Sequence, residues 1–197
     1  ILPAELEEAV HKLEEVKIKS KKVGEANNEM AAVSVRTFDA RETERYAGSR
    51  GDPSRMASNF AGVQGANDSR NDIVIRGNSP LGLLWRYEGV NIPNPSHFGV
   101  SGTTGGGLSI INNKVLSNSD FFTGAFPAQY GNSIAGVFDI RMRPGNNETH
   151  EYSAQLGILG LEFTGEGPLS KEKGSSYILN YRDSTLGIFQ KIGLQLG

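Results

Sequence analysis

Hydrophobic and polar positions along this chain change period several times, and each change marks an element. Val33, Val35 and Thr37 alternate with Ser34, Arg36 and Phe38, a period of two that predicts a strand. Asp39 follows as a helix cap with Glu42 three residues on, and Gly48 is placed to stop that helix. A second helix start lies at Asp52-Pro53, with Met56 and Phe60 as its apolar edge and Gly62 as its end. Residues 64–72 are polar and predict a loop. Ile73-Val74-Ile75-Arg76 predicts a short strand ended by Gly77, and Asn78-Ser79-Pro80 a turn. Leu83 to Ile92 predicts a second strand with Gly89 as a bulge. Residues 93–107, rich in Asn, Pro, Ser, Thr and Gly, predict a long surface loop, and Leu108 to Asn113 a short helix. Asp120 to Thr123 and Gly136 to Arg143 read as strands. In the latter, Phe138, Ile140 and Met142 face one way and Asp139, Arg141 and Arg143 the other.

Pro144-Gly145-Asn146-Asn147 is a strong break, and the chain changes character after it. Tyr152, Ala154, Leu156 and Ile158 alternate with polar residues. After a turn over residues 165–174, Tyr177, Leu179 and Tyr181 alternate again. Segments of ~9–11 residues with one apolar face are the weak signature of outer-membrane barrel strands. Two or three of them cannot close a barrel of at least ~8 strands. They are either a soluble hairpin or the start of a barrel cut short. At the other end, Leu2, Leu6, Val10 and Leu13 fall at helical spacing with Pro3 in the first turn, and predict a short amphipathic helix within charge-dense residues 1–22. Glu15-Val16-Lys17-Ile18-Lys19 alternates and predicts extended backbone. Val23 to Met30, with Gly24 and Asn27-Asn28, predicts a linker.

Composition narrows the classes of function. Lys and Arg number 20 against 22 Asp and Glu, a net charge of −2, which argues against an electrostatic grip on nucleic acid or anionic lipid. Glycine, 25 of 197 residues, is nearly twice its ordinary share and points to many turns. With no cysteine, disulfides, thiolate catalysis and Cys-based zinc sites are removed. No apolar run approaches the ~18–20 residues of a spanning helix. Ile1 in place of Met reads as an excised or processed segment.

Candidate chemistry is sparse. Gly102-Thr103-Thr104-Gly105-Gly106-Gly107 lacks the Lys-Ser/Thr ending of a phosphate-binding loop and reads as a flexible loop. Gly131-Asn132-Ser133-Ile134-Ala135 has Ala in place of the last Gly of a nucleophile elbow, and His11, His97 and His150 are far apart in sequence. Asn67 to Asp72 offers oxygen ligands without the glycine and terminal Glu of a calcium loop, and no His pair has zinc spacing. No cofactor or metal is expected. Trp85 and the phenylalanines read as core. Arg76 and Glu88 are isolated charges amid apolar strand residues, so each is either a solvated edge or a charge meant for an opposite charge on another element.

Taken in order, several segments resemble the plug of a TonB-dependent outer-membrane receptor. Asp72-Ile73-Val74-Ile75-Arg76-Gly77 resembles the family's I-R-G strand, and Leu84-Trp85-Arg86-Tyr87-Glu88-Gly89-Val90 the following strand with its acidic-Gly-Val end. Asn118 to Pro127 is similar to the next strand in receptors of the Bacteroidetes type. Ala128 to Ile140, with Tyr130-Gly131 and Gly136, resembles the closing stretch, Ala135 standing where Gly is common. Leu13 to Ile18 resembles the TonB box, with Lys17 as a departure from its pattern.

The resemblance implies an α+β fold. It would be a compact plug domain with a small mixed sheet and short helices, followed by the first strands of a truncated outer-membrane β-barrel. The implied division is 1–30 for the N-terminal segment with the TonB-box-like stretch and linker, 31–147 for the plug and 148–197 for the start of the barrel. Residues 1–12 would be the tail of an accessory domain. The implied function is gating of energy-coupled ligand uptake in the outer membrane of a Gram-negative bacterium, with the N-terminus periplasmic and no catalysis. Glu15, Val16, Lys17 and Ile18 would add as a strand to the periplasmic domain of TonB. Arg76 and Glu88 would pair with charges of the chain's own C-terminal barrel. Asn78, Ser79, Asn94, Ser96, His97 and Phe98 would lie on loops facing a small-molecule, glycan or peptide ligand. Two other classes stay open: a soluble ligand-binding or adhesion module, and a serine hydrolase built on Ser133. Tyr152, Leu156, Ile158, Tyr177, Leu179 and Tyr181, without a barrel, are expected to be buried against the plug or another copy, or disordered.

Overall fold

The protein is described by a computed structural model for residues 26–183, except Ala32, Ala47, Arg50, Phe98, Val100, Ser101, Thr104, Ile158 and Leu159. The expected N-terminal helix, Glu15, Val16, Lys17, Ile18, Phe98 and Ile158 therefore lie outside the described residues.

The first strand, β1 (Val35–Phe38), leads into α1 (Ala40–Arg45), where the Asp39 carboxylate accepts the Glu42 N–H at 2.9 Å. This helix ends at Tyr46, in extended conformation, before the expected stop at Gly48. Helix α2 (Pro53–Ala57) starts as expected, Asp52 capping the Ser54 N–H at 2.8 Å with Pro53 in its first turn. Gly62, at φ +77°, turns the chain into β2 (Val63–Gly65), which pairs with β3 (Ile73–Ile75). Residues 64–72 are thus strand at their start and loop only afterwards.

Beyond a 3-10 turn at Pro80–Gly82, the expected single strand is a hairpin, β4 (Leu83–Tyr87) and β5 (Val90–Ile92). Glu88 and Gly89 stand at φ +50° and +81°, the pattern of a two-residue type I′ turn, so Gly89 is a hairpin residue and not a bulge. The loop after Pro93 contains β6 (Ser96–His97), which pairs with β7 (Leu108–Ser109). The helix expected over residues 108–113 is replaced by β7 and a 3-10 turn at Asn113–Val115, which Asn112 caps.

Strands β8 (Ser119–Phe122) and β9 (Gly136–Ile140) complete a five-stranded mixed sheet of order β1-β8-β9-β4-β5. Only the β4–β9 pair is parallel. One register row crosses the whole sheet: Arg36, Phe121, Phe138, Trp85 and Ile92 are successive partners. Phe138 stacks on Trp85 and on Phe121, each at 4.2 Å between ring centroids, and Phe38 meets it edge-on at 6.0 Å. Met56 and Ala57 of α2 and Ile73 and Ile75 of β3 join the core on this face. The opposite face holds a smaller cluster of Phe122, Tyr130 and Val137, and beside it a polar row, Thr37, Asp120, Asp139 and Arg86. Both faces of β9 are therefore buried. The alternation expected over 136–143 holds for Phe138 and Ile140 against Asp139, but it does not put Asp139 in solvent.

A separate antiparallel sheet follows: β10 (Glu151–Gly157), β11 (Gly160–Ser170) and β12 (Ser175–Asp183). The turn expected at 165–174 is shorter, because Gly165 to Ser170 belongs to β11. Among the described residues no helix is long and apolar enough to cross a membrane.

Candidate functional site: an inverted sheet and its polar seam

Register assigns the residues of the three-stranded sheet to its faces. Tyr152, Ala154, Leu156, Leu161, Phe163, Tyr177, Leu179 and Tyr181 share one face, with Asp183 at its margin, and Ser153, Gln155, Glu162, Thr164, Glu166, Asn180 and Arg182 share the other with Ile178. In water the apolar face of such a sheet turns inward. Here it turns outward: Leu156 is 79% exposed, Tyr152 67%, Leu179 62% and Tyr181 57%. Burial against the plug, one of the three outcomes expected for these residues, is corrected: they lie in strands and face away from it. Among the described members of the expected set, Tyr177 alone is half-buried, its hydroxyl 3.1 Å from His150 Nδ1.

The polar face meets the first unit along a hydrogen-bonded seam. Asn112 donates to Glu162 at 3.1 Å and to Asn180 at 2.7 Å. Asn180 in turn donates to Glu162 at 3.0 Å and to Thr164 at 2.7 Å. Arg182 donates to the Ser109 carbonyl. The hub is Glu166, which takes both ends of the Arg143 fork at 2.6 and 2.7 Å and the Asn146 N–H at 2.9 Å. The junction is also tight: a Cβ on Gly145 would lie 2.0 Å from the Tyr177 carbonyl oxygen, so only glycine passes there.

Sequence reasoning did not find this seam. Glu162, Thr164 and Glu166 do alternate with Leu161, Phe163 and Gly165, but Gly165, Gly167 and Pro168 gave the segment the look of a turn. The residues that were singled out fall elsewhere. Arg76 is exposed at φ +50°, donating its N–H to Gly62. Glu88 is exposed in its hairpin turn, donating its N–H to the Ile140 carbonyl while its carboxylate accepts the Met142 N–H. Both charges thus stand on turns rather than amid a strand. Asn78 bonds back to Ile75, Ser79 caps the 3-10 turn at Leu81, and Asn94 accepts the Ser96 N–H. Ser96 is buried and donates to Asn71 at 2.9 Å, while His97 is exposed. Ser133 donates to the Gly136 carbonyl at 2.6 Å, the role of a turn residue.

The glycine run 102–107 is held rather than flexible at its end. Asn71 accepts the Gly106 N–H at 2.8 Å and donates to Asp52 at 2.7 Å. Burial pushes the Asp52 carboxyl up, against the lowering effect of the Asn71 and Ser54 hydrogen bonds. Asp72 is buried beside Arg70, its Oδ2 3.2 Å from Nε, and a Cβ on Gly105 would fall 2.3 Å from its Oδ1. Among the described residues no group of three or more metal-ligating side chains converges.

No protein-family profile matches the chain, and no curated protein matches it. Among solved structures it is similar to two mutants of the ferric enterobactin receptor PfeA from Pseudomonas aeruginosa, each in complex with enterobactin. The TM-score is 0.47 in both cases, at 22% and 20% identity over 70% and 72% of this chain. It is also similar to the outer membrane transporter YddB from Escherichia coli, with TM-score 0.46 and 15% identity over 68% of this chain. The chain spans 23–26% of the length of those proteins.

Proposed function

We propose that this chain is the plug and the first barrel strands of a TonB-dependent outer-membrane receptor of the Bacteroidetes type, gating energy-coupled uptake of a ligand. The inverted sheet carries the reading. Strands of 7, 11 and 9 residues with an apolar face outward and a polar face toward a folded unit match a barrel wall, lipid on one side and lumen on the other. A soluble adhesion module has no use for that polarity. The ordered motifs from Asp72 to Ile140 support the same reading.

In this proposal residues 1–30 form the coupling arm, 31–147 the plug and 148–197 the start of the barrel. Arg76 and Glu88, exposed on turns, are offered to later strands of the barrel wall. Asn78, Ser79, Asn94, His97 and Phe98 line ligand-facing loops. Ser96 is the weakest member of that set, since its hydroxyl is committed to Asn71.

The test compares the two faces in the native, membrane-embedded protein. Leu156→Lys and Leu179→Lys should each lower stability by about 2–4 kcal/mol near the bilayer midplane, read as unfolding of the protein in lipid bilayers. Ser153→Lys, on the polar face, should be tolerated. Equal tolerance on both faces would refute the assignment. For coupling, Val16→Pro removes a backbone donor and should abolish uptake, as a block to strand addition requires. Undiminished uptake in that variant would reject the arm's role.

A further inference from the structure

Asp120 and Asp139 are direct cross-strand partners in the middle of the mixed sheet, and both are buried. Like charges so placed repel, and each carboxylate needs donors. Asp139 receives the Tyr130 hydroxyl at 2.7 Å and lies 3.6 Å from Arg141 Nε. Asp120 receives the Thr37 hydroxyl at 2.9 Å on Oδ1, while its Oδ2 takes two backbone N–H groups, from Asn27 at 2.8 Å and Asn28 at 3.1 Å. Asn28 also reaches the Tyr130 hydroxyl at 3.3 Å, and Asn27 the Asn118 carbonyl. The stretch read as a linker is therefore seated on the sheet, and the end of the coupling arm is bonded to the plug.

The chain's path gives this seat a mechanical meaning. From Asn27, beside Asn118 and Asp120, it runs to Ser34, whose carbonyl accepts the Thr123 N–H. It then reverses into β1, which returns antiparallel along β8 from Phe122 to Ser119. Tension arriving from upstream meets Asp120 first. Only after Asn27 and Asn28 have left can it reach Val35 and peel β1, an edge strand, one pair at a time.

We propose that residues 26–31 form a release latch seated on Asp120, so that the plug opens in two ordered steps, arm first and β1 second. The inference rests on the reading of the chain as a plug pulled from its N-terminal side, and it identifies the residue that regulates that opening.

Hydrogen exchange on the complete receptor, followed by mass spectrometry, tests it. In Asp120→Asn, exchange over residues 26–34 should rise at least tenfold, while β1, β4 and β9 stay at wild-type rates. Asn27→Pro removes two latch donors, the N–H to Asp120 and the side-chain amide to the Asn118 carbonyl, without altering a sheet residue, and should also raise exchange over the same residues. Unchanged exchange over 26–34 would overturn the latch. An equal rise in the arm and β1 would overturn the two-step order. A rise throughout the protein would make Asp120 a general stability residue and overturn both. None of these readings depends on uptake, so failure of Val16→Pro to block transport, which rejects the coupled-receptor reading, is separately visible.

Discussion

Phe138→Ala is expected to cost about 4–5 kcal/mol, near the top of the range for large-to-small aromatic changes. The ring lies between Trp85 and Phe121, both at 4.2 Å, and all three belong to hydrogen-bonded neighbouring strands. The spacing of β8, β9 and β4 is fixed by their backbone ladder, so Trp85 and Phe121 cannot close on the gap. Phe38, edge-on to the same ring, loses its contact as well. Chemical denaturation checks this, with a loss below about 2 kcal/mol indicating a core that collapses freely.

Arg143→Ala should cost about 3 kcal/mol, the low end for breaking a buried pair, because Arg143 is 32% exposed while Glu166 is 12% exposed. The change removes two charge-assisted bonds to Glu166 and the 2.8 Å bond from Arg143 Nε to the Lys114 carbonyl. Glu166 would keep only the Asn146 N–H. For a domain of this size the melting temperature should fall by about 6–12 °C. Thermal denaturation checks this, and a fall below about 3 °C would count against Glu166 as the hub.

The fold was legible wherever a side chain acts on its own neighbours. Asp39 and Asp52 cap within three residues, and the period of two around Val35, Phe121 and Phe138 survives into the strands. Reading failed where distant chain decides. Glu88 at positive φ carries no local signal, since only the pairing of Tyr87 with Val90 makes it a turn. Leu108 and Ser109 became a strand because His97 and Ser96 lie opposite them. The seam was hidden for the same reason: Asn112, Arg143 and Glu166 are ordinary surface residue types until the two sheets meet. Asp120 opens an expected strand, and nothing near it in sequence tells that the N-terminal arm and Tyr130 cover its side of the sheet.

The three-stranded sheet carries a last implication, for handling the protein. β10 and β12 each have a ladder partner on one side only among the described residues, and the same strands present bare Tyr152, Leu156, Leu179 and Tyr181. Open backbone margins beside greasy side chains invite stacking of copies into fibrous or amorphous precipitate. Purification of this stretch by itself accordingly calls for detergent micelles or amphipols from the first step of cell lysis.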